Sequence, residues 1–206
     1  MGTYAGVRMA TTADVDGMAD ALAAAFHDDP VMAWLFGDDE PRTVRRLARF
    51  FAFEGKRHLH HPTVYTTDDH SGAAYWDPPG HWKTRPLSML QMAPLMIRSM
   101  GPRIPRALKG LGIIEKAHGR HPEHYYLAVL GTRPDRQGDG IGGALMAPVL
   151  DHCDEQGIGA YLESSKEANI PFYRRHGFEV AEELQLPKGP GLWPMWRDPQ
   201  PPSQGR

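Results

Sequence analysis

Apolar positions along the chain change period several times, and each change marks an element. In TTADVDGMADALAAAF, Val15, Met18, Ala19 and Leu22 recur at helical spacing behind Thr11 or Thr12 as an N-cap. That pattern predicts an amphipathic helix following a short strand in AGVRMA. The helix stops at HDDP, because Pro30 disfavours helical backbone at Asp29. A second helix is expected from about Pro41 to His58, with Val44, Leu47, Phe50 and Phe51 turned inward. TVYTTDD and GAAYWDPP are β-rich runs joined through His70, Ser71 and Gly72, which reads as a hairpin. Residues 86–117 read as mainly helical but broken at Pro94, Pro102 and Pro105.

From Tyr125 the pattern sharpens. YYLAVLGT is a nearly continuous apolar strand, GIGGALMAPVLDHCDEQG a helix ending at Gly157, and GAYLES another apolar strand. EANIPFYRRHG reads as a short helix ending at Gly177, FEVAEEL as a strand, and GLWPMWR as a last strand that must absorb Pro194. Helices between apolar strands, with hairpin-like strands at both ends, indicate an α/β or α+β mixed sheet. The length fits one domain over residues 1–198, and PQPPSQGR reads as a disordered tail over 199–206.

Composition removes several functional classes. The chain is 41% hydrophobic and 23% charged, an ordinary balance for a globular protein. Its formal net charge of -2 lacks the basic excess of a nucleic-acid binder, so any anion site must be local. Cys153 is the one cysteine, which excludes an intramolecular disulfide and a cysteine-rich zinc site. The Met-rich run PLSMLQMAPLMIRSM is interrupted by Gln91, Pro94 and Arg98, so no membrane span is expected. HLHHP, with His58, His60 and His61, lacks supporting carboxylates and reads as a solvated turn rather than a metal cluster. A metal-free cytoplasmic protein, monomeric or homodimeric, is the expectation.

The decisive stretch is DRQGDGIGGAL, residues 135–145. It holds two phosphate-loop spacings at once. Gly138, Gly140 and Gly143 match the dinucleotide fingerprint G-x-G-x-x-G, while Gln137, Gly140 and Gly142 match Q-x-x-G-x-G. Both place bare amides at a helix start, where the unpaired N–H groups and the positive end of the dipole favour an anion. The dinucleotide loop follows its strand almost at once, whereas six residues from Thr132 to Gln137 intervene here. Too little chain follows Gly143 to complete a doubly wound sheet, and no Gly-Lys-Ser/Thr exists to form a P-loop.

Residues 125–178 instead resemble the GNAT family of N-acetyltransferases. RPDRQGDGIGGAL is similar to that family's Q/R-x-x-G-x-G/A loop, and NIPFYRRHGF to its later helix with a tyrosine before Gly-Phe. YYLAVLGTRPDRQGDGIGGAL, YLESS, NIPFYRRHGFEV and LPKGPGLWPMW together resemble puromycin N-acetyltransferase-like members; residues 59–120 show no such likeness. The resemblance implies a central mixed, mostly antiparallel sheet with a splayed strand pair, flanked by helices. It implies acetyl-CoA as cosubstrate and an amine of a small molecule as acceptor, attacked directly in a ternary complex. A non-catalytic acetyl-CoA sensor and a protein-amine acetyltransferase are the alternatives.

Carried onto this chain, the resemblance places the pyrophosphate on Gln137, Gly138, Asp139, Gly140, Ile141, Gly142 and Gly143. Asp139 departs from the family's usual basic or neutral residue, and is tolerable only if its side chain turns to solvent. Pantetheine falls on Leu130, Gly131 and Thr132. Asn169 either bonds the pantetheine or caps its helix; the family's asparagine seven residues before the tyrosine is Lys166 here. Tyr173 is the candidate acid for the departing thiolate, or else a core aromatic beside Phe172. Glu163 is the candidate base for the amine, or else a strand-end charge. His27, Asp28 and Trp34, with Trp76 and Trp82, are expected to line the acceptor pocket.

Overall fold

The computed structural model describes residues 6–38, 40–83 and 86–201. Among these residues eight strands form one sheet: β1 Val7–Met9, β2 Val64–Thr67, β3 Gly72–Asp77, β4 His124–Thr132, β5 Gly159–Ser164, β6 Glu179–Val180, β7 Leu184–Gln185 and β8 Gly191–Arg197. Their order is β1-β2-β3-β4-β5-β8-β6, with β7 also on β8. Every pairing is antiparallel except β4 with β5. The mixed, mostly antiparallel sheet expected from the chain is therefore present.

β3 shows how the sheet is covered. Side chains alternate faces along a strand, and both of its faces are buried. Ala73 and Tyr75 join one core with Met18 and Leu22 of α1 (Val15–Ala25) and Leu47 and Phe51 of α3 (Glu40–His58). Ala74 and Trp76 join the other, with Leu145, Met146 and Val149 of α6 (Ile141–Gln156) and Tyr173 of α7 (Ile170–Arg174). Helices thus pack on both faces of the sheet.

Several local features differ from the sequence pattern. Pro30–Phe36 forms a further helix, α2, capped by Asp29, whose Oδ1 accepts from the Val31 and Met32 amides at 2.9 Å each. Val44 is exposed on α3, while Leu47 and Phe51 are fully buried. Pro94 lies inside an unbroken α4 (Pro86–Met100), and the break falls at Gly101–Arg103, ahead of α5 (Ile104–His118). FEVAEEL yields two short strands instead of one. His58 is completely buried, its Nδ1 donating to the Glu54 carbonyl at 2.8 Å, so HLHHP is not wholly a solvated turn. Of the tail, the Gln200 amide donates to Asp154 at 2.7 Å, and residues 202–206 lie outside the described residues.

Pro194 is accommodated by a short neighbour. Its carbonyl accepts from the Ala181 amide, so the position of its missing N–H also faces the β6 side, just beyond the two-residue ladder Glu179↔Trp196 and Val180↔Met195. The reciprocal donor to Ala181 is missing, and the β6 ladder ends there.

Candidate active site

The parallel ladder between β4 and β5 stops early. Its register runs from His124↔Gly159 to Leu127↔Leu162 and goes no further. Beyond it, β4 stays with β3 while Glu163 and Ser164 pair with β8. The separation coincides with a bulge: Tyr75 pairs Val129 and Trp76 pairs Leu127, leaving Ala128 extra on β4. A bulge bends its strand and terminates pairing locally. The two strands diverge here and open a cleft of about 810 Å³.

Leu130, Gly131 and Thr132 line this cleft on β4, where no strand covers them on the β5 side. Gly131 has a packing reason to be glycine as well, since a Cβ there would stand 2.8 Å from Leu22 Cδ2 and 3.0 Å from Ala25 Cβ. Gln137, Gly138, Gly140, Ile141, Gly142 and Gly143 continue the wall. Gly138 and Gly140 adopt φ of +92° and +77°, and the space where a Cβ would project is open at both. The first backbone bond of α6 is Ala144 N–H to the Gly140 carbonyl, and no side chain caps the helix. Open space and unpaired amides together suit a phosphate-bearing ligand.

Asp139 does turn away. Its carboxylate accepts from Arg136 Nε at 2.9 Å and is more than half exposed, and it is absent from the cleft wall. Arg136 is held in turn by Asp69 at 2.7 Å and Ser71 Oγ at 3.0 Å. The acid is neutralised before it can face an anion.

Tyr173 and Glu163 line the same cleft. Burial, with the Asp29 charge nearby, pushes the Tyr173 hydroxyl above its ordinary range, so it keeps its proton. The Glu163 side chain is 6% exposed, and its Oε1 has no hydrogen-bond partner. A buried carboxylate oxygen without a donor is costly unless something else supplies one. Tyr126 and Tyr161 flank it, and burial together with this carboxylate raises both phenols. Asn169 lines the cleft and makes no side-chain cap bond to α7, which removes the capping alternative.

The α1–α2 turn closes one side. His27 and Asp28 reach the cleft as expected. Lys166 Nζ donates to Asp28 at 2.6 Å, holding that carboxyl below its usual range, and the Ser165 hydroxyl donates to Asp29. Burial moves Asp29 the other way. Three tryptophans fall elsewhere: Trp34 donates to the Pro187 carbonyl at 3.2 Å, Trp76 is in the core, and Trp82 stacks on His118. The pattern also gave no notice of His118, His124, Tyr126 and Asp29. His118 of α5 meets His124 and Tyr126 of β4, while Asp29 meets Ser165 beyond β5, and only their residue types could have flagged them.

Residues 104–178 match the model of the Acetyltransferase (GNAT) family. An uncharacterized N-acetyltransferase of Schizosaccharomyces pombe is 26% identical over 184 residues, covering 84% of this chain and 74% of the relative. The likeness to GNAT acetyltransferases thus spans residues 104–178 of this chain. Two solved structures share the fold. One from Corynebacterium glutamicum, described as a histone acetyltransferase and related acetyltransferase, has a TM-score of 0.68 at 22% identity and covers 96% of this chain and 97% of its own. The polyamine N-acetyltransferase of Drosophila melanogaster, described as forming N-acetylagmatine, has a TM-score of 0.62 at 16% identity and covers 93% and 98%. The family match and the N-acetyltransferase relative together support an acetyl-CoA-dependent N-acetyltransferase. Among the described residues no group of three His, Cys, Asp or Glu side chains is arranged to hold a metal ion, and no helix is long and apolar enough to cross a membrane.

Proposed function

We propose that the protein transfers the acetyl group of acetyl-CoA to an amine of a small molecule by direct attack in a ternary complex. One observation carries this reading: the divergence of β4 and β5 after Leu127 and Leu162 leaves a single cleft walled by both Glu163 and Tyr173. In this reading the amides from Gln137 to Gly143 receive the pyrophosphate, with Asp139 contributing backbone only. Leu130, Gly131 and Thr132 run beside the pantetheine, joined by Asn169. Acetyl-CoA supplies the acetyl group as a thioester. Glu163 takes the proton that the amine must lose to attack, into the position left unpaired at Oε1. Tyr173, kept protonated by burial, gives its proton to the departing thiolate.

A bounded acceptor pocket is supported by the contacts of Asp28 with Lys166 and Asp29 with Ser165, which join two loops across the cleft. An open peptide groove would lack such ties. The test is thiol release from acetyl-CoA with agmatine, spermidine, tryptamine and a puromycin-type aminonucleoside, the last chosen for the motif resemblance. With the fastest of these, Glu163→Gln is expected to lower turnover most at low pH, where the amine is mostly protonated. Acetyl-CoA binding without thiol release from any amine would favour the sensor reading, and an unchanged pH profile in Glu163→Gln would remove its role as base.

A further inference from the structure

Behind Glu163 lies a chain of buried groups that neither the sequence motifs nor the family match assigns. His118, the last residue of α5, is 1% exposed, and its Nδ1 stands 3.6 Å from Glu163 Oε1. Its Nε2 is 2.8 Å from Nε2 of His124, and Nδ1 of His124 is 2.6 Å from the Pro122 carbonyl.

The proton positions follow from what each partner can do. A carbonyl only accepts, so Nδ1 of His124 carries its hydrogen. Burial holds His124 neutral, with its pKa down at about 4, so its Nε2 presents a lone pair. Nε2 of His118 must therefore be the donor to it. That leaves Nδ1 of His118 as the one open position in the chain, facing the carboxylate. With both ionised Glu163 and neutral His118 in place, two electron pairs oppose each other at short range. A proton between them removes that repulsion and turns it into an ion pair.

We infer that His118 is the positioning residue of the base, and that it receives the proton Glu163 takes from the acceptor amine. The inference rests on Glu163 acting as base. In the first step an N–H bond of the amine breaks and a Glu163 O–H bond forms. In the second that O–H bond breaks and Nδ1–H forms on His118, restoring the carboxylate as counterion to the imidazolium. No electron transfer or further reactant is needed. His124, held neutral, closes the chain at its far end, so the proton leaves by the way it came, from His118 back through Glu163 to the cleft once the product has gone.

The groups around His118 are compatible with this. Trp82 stacks on one face at 3.9 Å, with the Lys83 ammonium 5.1 Å from that indole's centre. Tyr126 of β4 and Tyr161 of β5 meet the ring edge, both phenols raised and so neutral. His121, flanked by Arg120 and Glu182, is shifted towards its neutral form by burial and by His118. Glu115 and Lys116 on α5 itself are exposed. Among the described residues, Glu163 is the one carboxylate within ion-pair distance of the His118 ring.

The test is nitrogen NMR of the full chain labelled with 15N-histidine, as wild type and as Glu163→Gln. The pH dependence of the His118 Nδ1 signal is expected to differ between the two proteins, with Nε2 protonated in both. An unchanged dependence would overturn the inference while leaving Glu163's role as base intact. Conversely, full low-pH turnover by Glu163→Gln would end the base reading and the inference with it. His118→Phe keeps the stack on Trp82 and is expected to retain acetyl-CoA affinity, lower kcat and shift the acidic limb of kcat/KM. Reduced kcat with the limb in its wild-type position would mean that the ring is only structural.

Discussion

A phenol in the cleft wall offers a proton and a packing surface, and one substitution separates them. Tyr173 meets Phe172 with ring centres 5.1 Å apart and Phe178 at 6.1 Å, contacts that phenylalanine would keep. General acid catalysis contributes about 10² to 10⁴ in rate. Tyr173→Phe is thus expected to lower kcat by about that factor while calorimetry finds acetyl-CoA affinity unchanged. Near-wild-type turnover would show that the thiolate leaves without this proton. Cys153 is the opposite case, since its place mid-helix already pointed to packing. It is fully buried, and burial pushes its thiol up to about 12, so it is a poor nucleophile.

At the scale of elements, the loop before α6 depends on backbone conformation more than on side chains. Gly140 sits at φ +77° with open space before it, so a valine side chain would project where the pyrophosphate is proposed to lie. Gly140→Val should reduce acetyl-CoA affinity at least tenfold by calorimetry. Left-handed backbone costs a non-glycine residue about 1–2 kcal/mol, which lowers the ligand-free melting midpoint by roughly 2–8 °C for a chain this size. Full affinity in this variant would take the loop out of the binding site. Elements with long periodic patterns, α1, α3, α6, β4 and β5, were legible in the chain because one face had to be apolar. α2 was not, since seven residues carry too little periodicity and Pro30 reads equally well as a stop and as a first helical residue. Pro94 misled in the other direction: α4 packs against α2 and α3, and tertiary contact overrode a local preference.

For the whole molecule, the buried histidines tie stability to pH. His124 has a folded-state pKa lowered from 6.5 to about 4, so the unfolded chain binds more protons between those values. Its contribution is present in full above about pH 6.5 and is lost as pH falls through the window to about 4. At about 1.4 kcal/mol per unit this amounts to something on the order of 3 kcal/mol. Urea unfolding from pH 4 to 7.5 should show stability rising over that range, with a flatter slope in His124→Asn. An equal slope in that variant would assign the effect to other groups. Local patterning in the chain was enough for the mixed α/β class, the order of strands and helices from Tyr125 to Gly177, and the glycine loop, because repeated burial and tight backbone leave local marks. The candidates Tyr173 and Glu163 came from likeness to a family. Packing in three dimensions set the rest: β4 and β5 part after Leu127, Asp139 pairs with Arg136, and His118 stands behind Glu163. Each depends on side chains far apart in the chain meeting in space, and hydrophobic period carries no record of which distant polar groups will meet.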